Sequence, residues 1–88
     1  MTDDERVEKS KELLRPWLMQ EARLLAKRYG QDLKWGDWTE HGFYVRYAGK
    51  LVHVGVAREH LEDYPASDPT DQEVIRKQIR GNLEAALA

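Results

Sequence analysis

The strongest structural signal in the sequence is an alternation of apolar and polar residues between Phe43 and Val56. Apolar residues occupy every second position on both sides of Gly49-Lys50, a pattern typical of two strands with one buried face. Glycine stands first in this dipeptide, as a type II′ turn prefers, so the sequence predicts an antiparallel hairpin. The predicted pairs are Tyr47 with Val52, Val45 with Val54, and Phe43 with Val56.

An amphipathic helix is predicted before the hairpin. Between Val7 and Tyr29 apolar residues recur at intervals of three and four, and Gly30 stands where a left-handed cap residue ends a helix. Pro16 interrupts this pattern, because proline removes a backbone donor and disfavours helical geometry at the preceding residue. The helix is therefore expected to kink or to begin at Pro16, with residues 1–12 frayed.

A second amphipathic helix is predicted after the hairpin. Its start is signalled either by Asp68 as N-cap or by a capping box from Thr70 to Glu73. Its apolar residues recur every four positions and carry the helix through Gly81 at a cost of about 1 kcal/mol. A helical turn from Arg58 to Tyr64 is expected to connect the hairpin to this helix.

These elements predict an α+β fold of two layers: an N-terminal helix, an antiparallel β-hairpin or three-stranded meander, and a C-terminal helix. The third strand would be a short segment from Leu33 to Trp35, followed by a turn at Gly36-Asp37. The 88 residues leave no room for two cores, so one domain is predicted over residues 1–88. The stretch from Gly49 onward resembles small bacterial domains of unknown function, which implies no activity.

Composition excludes several classes of protein. Cysteine is absent, which rules out disulfides and thiolate chemistry. The net charge of −2 argues against a generally basic nucleic-acid binder, and 34% charged residues argue against a membrane protein. The charged segment at residues 1–6 leads into no apolar run, so no secretion signal is predicted and we expect a cytoplasmic protein.

The sequence offers little that would support catalysis. The two serines, Ser10 and Ser67, lie in a predicted helix and a predicted linker, and no glycine-rich phosphate motif occurs. His60 and Asp63 have the spacing of neighbours on a helical turn, which leaves a metal centre as a third hypothesis. We nevertheless predict no enzyme, no cofactor and no metal site.

Protein binding is the favoured function, with another protein or a second copy as partner. The predicted hairpin leaves Tyr44, Arg46 and His53 on the face opposite the apolar residues, and tyrosine and arginine are enriched at interface hot spots. Trp35 and Trp38 flank the predicted turn, where an exposed indole would anchor a partner. The predicted partner-binding residues are Tyr44, Arg46, His53, Trp35 and Trp38.

The alternative is a small nucleic-acid-binding regulator. Aromatic side chains stack on bases and cations follow phosphates, so the hairpin face and the basic residues of the last helix would form its site. The basic residues of this hypothesis are Arg46, Lys50, Arg76, Lys77 and Arg80. A run of acidic residues between Arg58 and Glu73 would repel a long strand, which places this hypothesis second.

Overall fold

A computed structural model describes all 88 residues and confirms the α+β fold. Three antiparallel strands form an open sheet in the order β1-β2-β3. A 3₁₀ turn from Tyr64 to Ala66 links the second and third helices. The elements are α1 (Asp3–Tyr29), β1 (Leu33–Thr39), β2 (Gly42–Tyr47), β3 (Lys50–Gly55), α2 (Arg58–Asp63) and α3 (Pro69–Leu87).

Helix α1 is continuous through Pro16 and includes most of the residues that were expected to fray. Thr2 caps it, and the side chain of Glu5 completes a capping box that satisfies two free backbone donors. Pro16 lies on the exposed side of α1, and Glu12, whose carbonyl loses its helical partner, is exposed as well. Gly30 ends the helix at a φ of 64°, as predicted.

The first turns of α1 are held by a contact with α2. Ser10 is fully buried, and its hydroxyl donates a hydrogen bond to the carbonyl of Leu61. Val7, three residues earlier on the helix, is also buried. The segment before Pro16 is therefore packed against the remainder of the domain instead of fraying.

The Ser10→Ala protein should unfold with a free energy about 1–3 kcal/mol lower than wild type, because the buried Leu61 carbonyl loses its donor. Urea titration followed by circular dichroism measures this difference. Ser67→Ala is the matched control, since Ser67 donates to the exposed Asp63 carbonyl, which water also reaches. Equal losses in the two variants would show that the Ser10 contact does not hold the helix.

The hairpin register differs from the prediction by two residues. The turn is Ala48-Gly49, with φ values of 51° and 82°, and not Gly49-Lys50. Two successive positive φ values make a type I′ turn, which matches the twist of the strands. Because the shift is even, every side chain keeps its predicted face. The observed pairs are Tyr47 with Lys50, Val45 with Val52, and Phe43 with Val54.

Strand β1 is longer than predicted and contains a bulge where a turn was expected. Its register against β2 shifts between Trp35 and Asp37, which leaves Gly36 as the extra residue. The bulge changes the alternation, so Trp35 and Trp38 lie on the same face although they are three residues apart. The expected Trp35–Trp38 loop is therefore part of the sheet.

Both long helices cover one face of the sheet. Helix α1 lies against β1 and α3 lies against β3. Asp68 caps α3 by accepting from the Asp71 backbone at 2.9 Å, the first of the two predicted starts. Neither α1 nor α3 contains an apolar stretch that would cross a bilayer. The most deeply buried core residues are Leu14, Leu18, Phe43, Val45, Val54, Ile79 and Leu83.

Candidate functional site

The sheet has one face that no helix covers, which we call the outer face. It carries the side chains that alternate with the buried ones on all three strands. Arg46 and His53 are exposed, and Leu51 is 63% exposed. The residues of the outer face are Lys34, Asp37, Thr39, Tyr44, Arg46, Leu51 and His53.

One row across the outer face carries two like charges side by side. Lys34 lies directly opposite Arg46, and Arg46 lies directly opposite Leu51. Arg46 makes no ion pair, and the nearest carboxylate of Lys34 is that of Asp32 at 3.9 Å. Like charges directly opposite each other destabilise a sheet. A carboxylate from outside the chain would therefore stabilise this row.

Tyr44 lies in the next row, between Asp37 and His53. Its ring covers Gly36 so closely that a Cβ atom at Gly36 would lie 2.4 Å from Tyr44 Cδ2. Tyr44 is half-buried as a result. The ring is thus held in one place by the bulge and offers a rigid aromatic surface beside Arg46.

His53 is positioned by a contact that crosses β2. Its Nε2 atom lies 2.9 Å from Thr39 Oγ1. The contact is diagonal, because Thr39 lies opposite Gly42, which has no side chain, whereas His53 lies opposite Tyr44. The contact between His53 and Thr39 therefore holds both side chains in place at the end of the outer face that is distant from the Ala48-Gly49 turn.

Trp35 and Trp38 lie on the opposite face and pack against the core. With Phe43 they form an aromatic cluster in which ring centroids are 5.1–5.6 Å apart. Both indole Nε1 atoms are buried without a hydrogen-bond partner. The structure thus brings Tyr44, Arg46 and His53 together and separates the two tryptophans from them.

Comparison of the chain with known proteins does not indicate what this surface does. The chain matches no protein-family model, no curated protein and no solved structure at a significant level.

The basic residues of the nucleic-acid hypothesis do not form one surface. Arg46 lies on the outer face and Lys50 at the adjoining hairpin end, whereas the other three lie on α3 in the opposite layer. Arg80 binds Glu21 through two hydrogen bonds of 3.0 and 3.2 Å. Lys77 remains exposed.

The Arg76 guanidinium is held by two neighbouring side chains, those of Glu73 and Tyr64. It donates to Glu73 Oε2 at 2.6 Å and to the Tyr64 hydroxyl at 2.8 Å. The Glu73 bond, followed by the Tyr64 bond, raises the pKa of Arg76, and the same contact with Arg76 lowers the pKa of Glu73. Arg76 would have to leave these partners to bind a phosphate.

The acidic segment after β3 has structural roles. Glu62 accepts a hydrogen bond from Arg58 at 2.8 Å, and Asp68 caps α3. Hydrogen bonds to Asp4 and then to Glu62 raise the pKa of Arg58. No group of three histidine or acidic side chains, at His60 or elsewhere, comes close enough to hold a metal ion.

Sequence reasoning missed Lys34 as a member of the outer face. The signal was present, because Lys34 alternates with the apolar residues Leu33 and Trp35. Placing it beside Arg46, however, requires the pairing of β1 with β2, and the expected turn at Gly36-Asp37 obscured that pairing.

Proposed function

We propose that this domain is a non-catalytic protein-binding module, and that its outer face binds an acidic segment of a partner protein. The observation that carries the proposal is the pair of adjacent cations Lys34 and Arg46, of which Arg46 makes no ion pair, beside an exposed Leu51 on a face without a covering layer. A partner carboxylate would relieve the repulsion between the cations, and Leu51 would contribute apolar contact. A cytoplasmic location is part of this proposal.

Tyr44 gives the outer face its specificity in this proposal. A ring held against Gly36 loses little conformational freedom when a partner binds, which lowers the cost of association. Arg46 beside it offers planar, bidentate hydrogen bonding to a carboxylate. The combination favours a carboxylate-bearing segment over an uncharged apolar surface.

Nucleic acid is the second candidate, favoured by the cations Lys34 and Arg46 near one aromatic ring. It ranks lower because the outer face carries a single aromatic, whereas single-stranded nucleic acid is held by successive stacked bases. The basic residues of α3 lie in the other layer and cannot extend the same binding track.

Arg46→Glu should weaken partner binding at least about tenfold, since a charge at the centre of the face is reversed. The measurement is quantitative mass spectrometry of proteins captured by immobilised domain from lysate of the source cells, with and without nuclease. Arg15→Glu is the matched control, because Arg15 is exposed on α1 and makes no ion pair.

The expected result is one protein recovered by wild type and Arg15→Glu, depleted with Arg46→Glu, and unaffected by nuclease. Equal recovery by Arg46→Glu would contradict the outer-face site. Recovery that nuclease abolishes, or that falls steeply with salt, would favour the nucleic-acid candidate instead.

A further inference from the structure

We propose that a second copy of this chain pairs with the free edge of β3, so that two sheets join into one six-stranded antiparallel sheet. The proposal concerns the backbone groups at the edge of the sheet, whereas the partner proposed above contacts side chains of the outer face. It is therefore independent of the partner proposed above.

The two edges of the sheet differ in how they are protected. At the β1 edge, the bulge at Gly36 interrupts the strand, and the Trp38 backbone N–H is occupied by Asp37 Oδ1 at 2.8 Å. Bulges and charged side chains are features that prevent edge pairing. Strand β3 has no bulge and pairs residue by residue with β2 along its whole length. The β3 edge is thus the one suited to a further strand.

The free hydrogen-bonding groups of β3 follow from its hairpin. In a two-residue hairpin the closing pair, here Tyr47 and Lys50, is hydrogen-bonded, and such pairs alternate along the strands. Val52 and Val54 accordingly bond to β2, whereas Leu51 and His53 direct their backbone groups away from the sheet. No other strand accepts them.

One end of this edge is already occupied. The Asn82 side chain donates to the Gly55 carbonyl at 3.1 Å. A pairing strand is thereby confined to the segment before Gly55, where Leu51 and His53 are the outward-facing residues. A two-fold axis at Val52 pairs Leu51 with the second copy's His53 and His53 with the second copy's Leu51. The outward backbone groups of all four residues, two from each copy, then have hydrogen-bond partners.

Charge favours the antiparallel arrangement of two copies. Apart from His53, the only charged residue of β3 is Lys50 at its beginning. In the two-fold arrangement each Lys50 lies opposite the other copy's Val54, so the two lysines are about 13 Å apart along the strands. This separation exceeds the screening length of about 8 Å at physiological salt.

Between Gln78 and Ala85, helix α3 presents an uncharged flank on the same side. Gln78 donates to Asn82 at 3.5 Å, and Asn82 contacts the β3 edge, so these residues lie on the side of the helix nearest that edge. Helical spacing adds Ala85 to this flank. The opposite side of α3 instead carries Arg80 and Glu84, which pair with α1. Depletion of charge is typical of interface centres.

These observations select a second copy over a foreign strand. A foreign strand would supply hydrogen-bond partners to Leu51 and His53 of one chain only. Two-fold pairing supplies them to the edges of both chains and brings two uncharged α3 flanks together. The outer faces of the two copies would then form one continuous surface. Partner binding through Arg46 and dimerisation through β3 would remain separable.

The first test is sedimentation equilibrium of the wild-type chain from micromolar to millimolar concentration. The expected mass rises from the 10.3 kDa of one chain to twice that value. A single 10.3 kDa species at every concentration would overturn the proposal. A monomer that binds an unrelated edge strand would overturn it as well.

Two pairs of variants locate the interface. Leu51→Pro removes an outward N–H, which an edge strand tolerates, and Leu51→Ala retains it. Ala85→Lys adds a charge to the α3 flank, and Gln20→Lys adds the same charge to an exposed position of α1. Leu51→Pro and Ala85→Lys should each raise the dimer Kd at least about tenfold, and the two controls less than about threefold.

Ala85→Lys keeps the test decisive if Leu51→Pro fails to fold, because Ala85 is exposed and lysine is a good helix former. A dimer that persists unchanged in Ala85→Lys and in folded Leu51→Pro would overturn the assignment of the edge. Arg46→Glu should leave the dimer intact, so failure of the outer-face proposal is recognised separately.

Discussion

The Val54→Asp protein is expected to be unfolded at 25 °C. Val54 is 1% exposed and lies opposite Phe43 at the centre of the core. An aspartate there would bury an unpaired charge in the core, at a cost of several kcal/mol. A domain of this size has only about 5 kcal/mol of stability available. Loss of the far-UV circular dichroism of the native protein is the predicted observation.

Val74→Asp is the matched control, because the same substitution is made at a valine that is 61% exposed on α3. Its unfolding free energy should change by less than about 1 kcal/mol. A Val54→Asp protein that unfolds cooperatively at the wild-type urea midpoint would mean that this face of the sheet is not the core.

Gly42→Ala is expected to cause the second large loss, about 3 kcal/mol of unfolding free energy. A Cβ atom at Gly42 would lie 1.9 Å from the Val54 carbonyl oxygen, and backbone atoms cannot yield by rotation of a side chain. The strands would have to separate at this end. The adjoining hydrogen bond from the Val56 N–H to the His41 carbonyl, 3.0 Å long, would be lost with it.

Gly55 provides an unusually close control for this substitution. It lies directly opposite Gly42 in the same pair of strands, yet a Cβ atom there would meet nothing within 4 Å. Gly55→Ala should therefore shift the urea midpoint by a small fraction of the Gly42→Ala shift. Similar shifts in both variants would show that loss of glycine flexibility, and not the contact with Val54, determines the cost.

The alternation between Phe43 and Val56 was sufficient to predict which side chains of the hairpin are buried and which are exposed. It was not sufficient to predict register, because a shift of two residues keeps every side chain on its face. The choice between Gly49-Lys50 and Ala48-Gly49 as the turn depends on whether Ala48 accepts a positive φ. The local sequence favoured the turn that has glycine at its first position, but the pairing of the strands selected Ala48-Gly49.

The expected kink and the expected turn were errors of another kind, in which tertiary contacts outweighed local preference. Pro16 disfavours a helix, but Ser10 and Leu61 hold the segment before it. Gly36-Asp37 suggested a turn, but glycine at a bulge lets Tyr44 pack against the backbone. That contact joins two strands and cannot be read from one segment.

The order of the strands in the sheet has a consequence for the folding pathway. Each strand pairs only with its neighbour in the chain, so both hairpins close short loops and can form early. The covering layer instead depends on contacts such as that between Arg80 and Glu21, which are 59 residues apart. Docking of α3 beside α1 closes the longest loop, and we therefore expect it to be the step with the largest entropic cost.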